Sequence, residues 1–161
     1  MRWFFIAQTV LLCIGLPSCM QTESNNKAGE SKDTNVSPLE GNWITVSFEQ
    51  KGKKSNPKRV PQQFKMFHDG FYSLVMYDEQ GKFFLAGAGP YETNGNVYEE
   101  TFSFHSDTSY IGVKIWQKWE VKGDTLYFYG FEKVKMPGGK DLTQEWNANG
   151  TFIEKRVRAK K

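Results

Sequence analysis

The chain has almost no cysteine. Cys13 and Cys19 are its only two in 161 residues, and both lie near the N-terminus. Everything after residue 19 has no thiol for a disulfide or a thiolate metal cluster, so its stability must come from packing. Histidine is equally scarce. His68 and His105 have no cysteine or carboxylate motif at metal-ligand spacing, which argues against a metal site such as zinc. No Gly-x-Ser-x-Gly elbow and no phosphate-binding loop is present, so the signatures of common hydrolases and nucleotide enzymes are missing. Charge is nearly balanced. A formal net charge of +3 is too small a bias to point to nucleic acid or to an acidic partner. Helical periodicity is close to absent, and only one apolar run has any length.

That run opens the chain. Trp3 to Leu16 is apolar except for Gln8, Thr9 and Gly15, and Arg2 is the only charge in the first 19 residues. The run is too short to cross a bilayer comfortably as a permanent helix. Its order of charge, apolar stretch and small residues is that of a secretion signal. It ends in Leu16-Pro17-Ser18-Cys19, and in this it resembles a bacterial lipoprotein signal. The resemblance implies cleavage just before Cys19 and lipidation of its thiol by palmitate-type acyl chains. The mature protein would then be held on a cell-envelope membrane, as in the outer membrane, facing the periplasm or the exterior. A simple signal peptide with an incidental cysteine is the alternative. Residues 20–38 are rich in Ser, Asn, Thr, Lys, Glu and Asp, and bury too little to offset their ordering entropy. The chain thus divides into a signal peptide (1–18), a lipidated cysteine with a flexible tether (19–38) and a domain (39–161).

Aromatic residues, 16% of the chain, supply the core of that domain. From Leu39 onward the sequence reads as strands punctuated by Gly, Asn and Asp pairs. Strands are expected over 42–49, 62–68, 71–77, 82–86, 91–93, 96–105, 111–121, 125–132, 142–146 and 151–158. Asp69-Gly70 and Asn94-Gly95 are the tightest turns. Gly87-Ala88-Gly89-Pro90 should break its strand as a bulge or corner. The fold class is all-β, an antiparallel up-and-down meander of about eight to ten strands that closes into a barrel to remove its edges.

Alternation assigns faces. Phe64, Met66 and His68 share one face of their strand. Ile111, Val113, Ile115, Gln117, Trp119 and Val121 form a buried series with one polar member, Gln117. Tyr98, Glu100, Phe102 and Phe104 form another, interrupted by Glu100. A buried carboxylate needs a partner, and Arg156 on the last strand is a candidate. Glu99 and Glu100 are adjacent, point to opposite faces and cannot act as paired acid and base on one substrate. An apolar lining with a few convergent polar groups suits a small-molecule pocket. An internal hydrogen-bond network, or a strand end where Glu100 meets water, is the alternative.

Leu39-Glu40-Gly41-Asn42-Trp43 carries the Gly-x-Trp that opens the lipocalins, and Arg156 stands on the last strand. Over 39–158 the chain resembles the lipocalins. Its Gly87–Tyr91 corner and Tyr98-Glu99-Glu100 strand resemble those of lipocalin-like lipoproteins of Bacteroidetes-type bacteria. The resemblance implies a calycin-type barrel closed at its bottom by Arg156 packed across Trp43. Those two are then fold determinants rather than ligand contacts. The loop 51–59 departs from the family, being short and basic rather than an apolar lid.

The implied function is binding of a small apolar or amphipathic molecule inside the barrel. Phe64, Met66, Tyr98, Phe102 and Trp119 would line the cavity, and Glu100 and Gln117 would orient the polar end. The partners are then that ligand and, through Cys19, the membrane. Nucleic acid, cofactor and metal are not expected, nor is catalysis. A different class of function is a filled barrel acting as an envelope interaction module through outer aromatics such as Trp116, Tyr127 and Tyr129. Interior volume separates the two. An enzyme using Glu100 with His68 is the remaining alternative. His105 and Asp107 read as a surface pair.

Overall fold

Asp69 and Gly70 both take positive φ, at 48° and 75°, as a two-residue hairpin turn requires. This turn sets the register of the two strands it joins, β3 (Gln63–His68) and β4 (Phe71–Tyr77), from His68 opposite Phe71 to Gln63 opposite Met76. The computed structural model describes residues 37–57 and 62–160. The signal peptide, Cys19 and all of the tether up to residue 36 lie outside them.

The remaining strands follow the same hairpin logic. They are β1 (Gly41–Gln50), β2 (Lys53–Ser55), β5 (Phe83–Asn94), β6 (Val97–Thr101), β7 (Phe104–His105), β8 (Lys114–Lys122), β9 (Thr125–Lys135) and β10 (Phe152–Arg158). All pairs are antiparallel, and β1 pairs with both β3 and β10. This closes an eight-stranded antiparallel up-and-down barrel, with β2 added beside β1 and β7 beside β5. Closure leaves no long unpaired edge among the described residues. The chain divides into two compact units, and the second, Asn35–Lys161, holds both of the core clusters described here, so it is the unit to express by itself.

Three segments differ from their sequence expectation. The Gly87–Pro90 stretch does not break its strand, because β5 runs through it. Its glycines face inward for a reason of space. A Cβ on Gly89 would stand 1.8 Å from the Thr101 carbonyl oxygen, so the neighbouring chain is pressed against bare backbone. The expected long strand 96–105 splits instead at Phe102-Ser103. Up to Glu100 it pairs along Tyr91–Asn94 of β5, and Phe104-His105 then pairs with Gly87-Ala88. Residues 142–146 are not a strand but end in a short helix, α1 (Thr143–Trp146), opened by the Asp141 carboxylate accepting from the Thr143 amide at 2.8 Å.

The interior has two storeys. The lower one, where β1 begins, is filled by Leu39, Trp43, Phe67, Tyr98, Leu126 and Phe128, each at most 1% exposed. Its rings meet edge-on or tilted, with Phe67 5.1 Å from Tyr91 and Tyr98 5.0 Å from Phe128. The upper storey is lined rather than filled. Val113, Ile115, Val134 and Leu142 pack there against Phe102, Tyr110, Phe131 and Trp146.

The lower end is closed by Arg158, not Arg156. The Arg158 guanidinium lies 4.3 Å from the centroid of Trp43 and donates to the carbonyls of Glu40 (2.6 Å) and Pro38 (3.2 Å). Trp43 in turn donates its indole N–H to the Leu39 carbonyl at 2.7 Å. The two arginines share one face of β10, two residues apart. Trp43 stands opposite Arg158 in the register, which leaves Arg156 higher, inside the barrel.

Candidate functional site

The upper storey encloses a cavity of about 900 Å³ that opens at the end of the barrel. That volume lies in the range of small-molecule pockets. Its walls are mainly apolar, with Leu74, Met76, Phe102, Ile115, Phe131 and Phe152 among them, and its mouth carries Ser55, Asn56, Pro57, Tyr110 and Trp146. Trp146 is held there by edge contacts with Phe131 and Tyr110, at 5.1 and 5.9 Å. The short basic loop contributes to the rim through β2 and the residues after it.

The cavity floor is polar. Lys65, Glu100, Gln117 and Arg156 are all at most 5% exposed, and all four line the cavity. Lys65 forms an ion pair with Glu100, and the same carboxylate oxygen accepts the Tyr98 hydroxyl. The Lys65 ammonium also sits 4.5–5.6 Å from the centroids of Phe67, Tyr72, Tyr98 and Phe128. Rings that fill the lower storey thus present their faces to the cation above them. Burial pushes the Lys65 pKa below its ordinary value, the Glu100 charge opposes that, and the nearby Arg156 charge adds to it. Burial, and then the Glu100 carboxylate, hold the Tyr98 and Tyr72 hydroxyls well above the ordinary tyrosine range.

Beside this pair lies a second. Arg156 Nη2 stands 2.8 Å from the Glu154 carboxylate and also donates to Gln63 Oε1. The Thr45 hydroxyl lies 2.6 Å from Gln63 Oε1 and 2.9 Å from Glu154 Oε1. Gln63 places its amide nitrogen 3.0 Å from the Met76 sulfur. Arg156 Nε and Nη1, both buried, have no hydrogen-bond partner among the described residues. The partner of Glu100 is therefore Lys65, not Arg156. Among the described residues no three His, Cys, Asp or Glu side chains converge as metal ligands.

Of the residues singled out in the sequence, Glu100, Phe102 and Gln117 meet at this cavity. Tyr98 lies beneath the floor in the lower core, and Trp119 packs against that same core. Phe64 and Met66 are on the outer wall, Met66 being 41% exposed, because the inward face of β3 is that of Lys65 and Phe67. Phe67 stands opposite Tyr72 and Lys65 opposite Leu74, while Met66 stands opposite Ser73. Both faces of β3 carry a Phe, so that strand alone does not reveal its inside. The fixed register of its hairpin with Tyr72, Leu74 and Met76 does. Glu154, missed as a cavity residue, and Arg156, expected inside only as the partner of Glu100, follow Phe152 at two-residue spacing along β10.

Two histidines stand apart from this floor. His68 is exposed, 3.5 Å from the Glu40 carboxylate on the outside. His105 is half-buried, stacks on Phe102 at 5.6 Å and binds the Asp107 backbone, while the Asp107 carboxylate accepts from Ser109. Glu99 points outward to Lys114 (3.0 Å) and to the Trp116 indole (2.8 Å).

The closed up-and-down barrel rests on this chain's own strand pairing. No protein-family model matches the sequence, and no curated protein sequence matches it. Among solved structures the chain is similar to a lipocalin-like protein from Bacteroides uniformis, with 16% identity and a TM-score of 0.48 over 75% of this chain and 98% of that one. It is also similar to an uncharacterized protein from Bacteroides eggerthii, with 13% identity and a TM-score of 0.44 over 74% and 98% of the two chains.

Proposed function

We propose that the domain is a non-catalytic, lipocalin-like binding module that takes a small apolar or amphipathic molecule into the upper storey of its barrel. We further propose that Cys19 anchors it to a membrane of the cell envelope. The cavity carries the first part. A barrel acting only through its outer surface has no need of an apolar-walled space of about 900 Å³ above a polar floor. The outer aromatics weighed for the surface reading are already engaged. Trp116 donates to Glu99 and lies under Lys133 (4.7 Å), and Tyr129 donates to Glu120.

Native mass spectrometry of residues 37–161, purified without the leader, tests the cavity. A reproducible extra mass that leaves on denaturation, or one gained after soaking in lipid extract, is the expected result. A clean mass in both cases, with no uptake of the neutral dye N-phenyl-1-naphthylamine, would sink the reading. For the anchor, full-length protein should incorporate labelled palmitate and fractionate with membranes, and Cys19→Ala should do neither.

A further inference from the structure

Resting on the proposal that the cavity binds a ligand, we infer that the molecule enters polar end first and that this end is a carboxylate held by Arg156. A guanidinium has five N–H donors. Nη2 donates to Gln63 and stands 2.8 Å from the Glu154 carboxylate. The other three, on Nε and Nη1, face no acceptor among the described residues although the side chain is 2% exposed. Arginine cannot shed its proton to escape this cost, and a buried unpaired charged donor is among the more expensive groups a fold can carry.

The two carboxylates of the floor are both engaged, which leaves the role of anionic acceptor to the ligand. Glu100 is taken by Lys65 and Tyr98, and Glu154 by Arg156 and Thr45. Two cations and two carboxylates balance, so an incoming anion meets no net charge while it gains charge-assisted hydrogen bonds. A cationic head would instead meet unpaired donors with no free carboxylate to answer it. The chain of such a molecule would lie upward along Leu74, Phe102, Ile115 and Phe152 toward the mouth.

Three probes of equal chain length test this on residues 37–161: dodecanoate, methyl dodecanoate and dodecylamine, each displacing N-phenyl-1-naphthylamine at neutral pH. Dodecanoate should displace the dye at concentrations about 10- to 100-fold below the methyl ester, the value of a charge-assisted hydrogen bond, with the amine weakest. Arg156→Lys keeps the charge for Glu154 but loses the Nε and Nη1 donors. It should bring the acid to the level of the ester and leave the ester unchanged. Glu154→Gln removes a neighbouring negative charge and should strengthen dodecanoate alone. Equal displacement by acid and ester in the wild type would mean that the ligand does not engage these donors, and would overturn the inference while leaving the cavity a binding site. An acid preference that survives in Arg156→Lys would overturn it in the same way. Should neither dye nor any probe bind, the ligand reading itself fails and this one with it.

Discussion

Changing Glu100 to Gln removes one charge from the floor and little else. Gln fills nearly the same volume and still offers a carbonyl oxygen to the Tyr98 hydroxyl. The Lys65 ammonium, enclosed by four rings and 4% exposed, then has no counter-charge in contact. Breaking a buried pair in this way costs about 3–5 kcal/mol, a large part of the roughly 5–15 kcal/mol that holds a domain together. In urea unfolding of residues 37–161, followed by tryptophan fluorescence, the midpoint should fall on the order of 2 M. The double variant Lys65→Met/Glu100→Gln removes the stranded charge and should recover most of the loss. The pH dependence has a definite sign. Without Glu100 the Lys65 pKa, already lowered by burial, drops further, while the unfolded chain keeps its proton up to about 10.5. Between these two values the unfolded state binds more protons, so the stability of Glu100→Gln should rise as pH increases toward 10. A Glu100→Gln variant within about 1 kcal/mol of wild type at neutral pH, below the cost of breaking a buried pair, would refute the claim that the pair is buried and interdependent.

Three other outcomes follow from the same geometry. Arg158→Ala should cost about 2–4 kcal/mol, through the lost cover of Trp43 and the bonds to Pro38 and Glu40, yet leave dye binding in the upper storey intact once folded; denaturation and dye titration read the two separately. Gly89→Ala forces a Cβ to within 1.8 Å of the Thr101 carbonyl oxygen, and should give little soluble protein or a melting transition lowered by ten degrees or more, about the scale of a loss of several kcal/mol. Tyr72 and Tyr98 keep raised pKa values when folded, so their stabilisation is whole below the ordinary value of 10.0 and is lost as pH rises above it. Each should remove about 1.4 kcal/mol per pH unit there, as urea midpoints would show, and Tyr72→Phe should flatten that slope.

The strands were legible wherever a two-residue turn fixed them. Asp69-Gly70 gives the end of β3 and the start of β4, and the alternation in β8 brings Ile115 and Gln117 inward as expected, with Val113 buried just ahead of the strand, whereas Ile111, expected in the same series, is exposed because the strand begins only at Lys114. Glu99 and Glu100 diverge because nothing interrupts the pleat between them. What was hidden depended on partners distant in the chain. The glycines of β5 look like a break, but their meaning is the close approach of residues 101–105, which no local rule contains. Residues 142–146 contain Thr and Trp, good strand residues, but the Asp141 carboxylate accepts from the Thr143 amide in an Asx-type turn that leads the chain into a helical turn instead. Arg156 and Arg158 share a face, and only the register with β1 decides which of them meets Trp43. Lys65, the cation paired with Glu100, reads as a surface lysine until its hairpin partners are counted.

The division of the interior into a filled and a lined storey separates two kinds of mutational freedom. Below the Lys65–Glu100 level each side chain is fitted to its neighbours, and changes there are felt as instability. Above it the walls touch empty volume, so substitutions at positions such as Met76 or Phe152 alter the shape of the space more than the cohesion of the barrel. The same scaffold can therefore be re-aimed at new guests from its mouth downward, with the ring-lined cation as the depth at which redesign should stop.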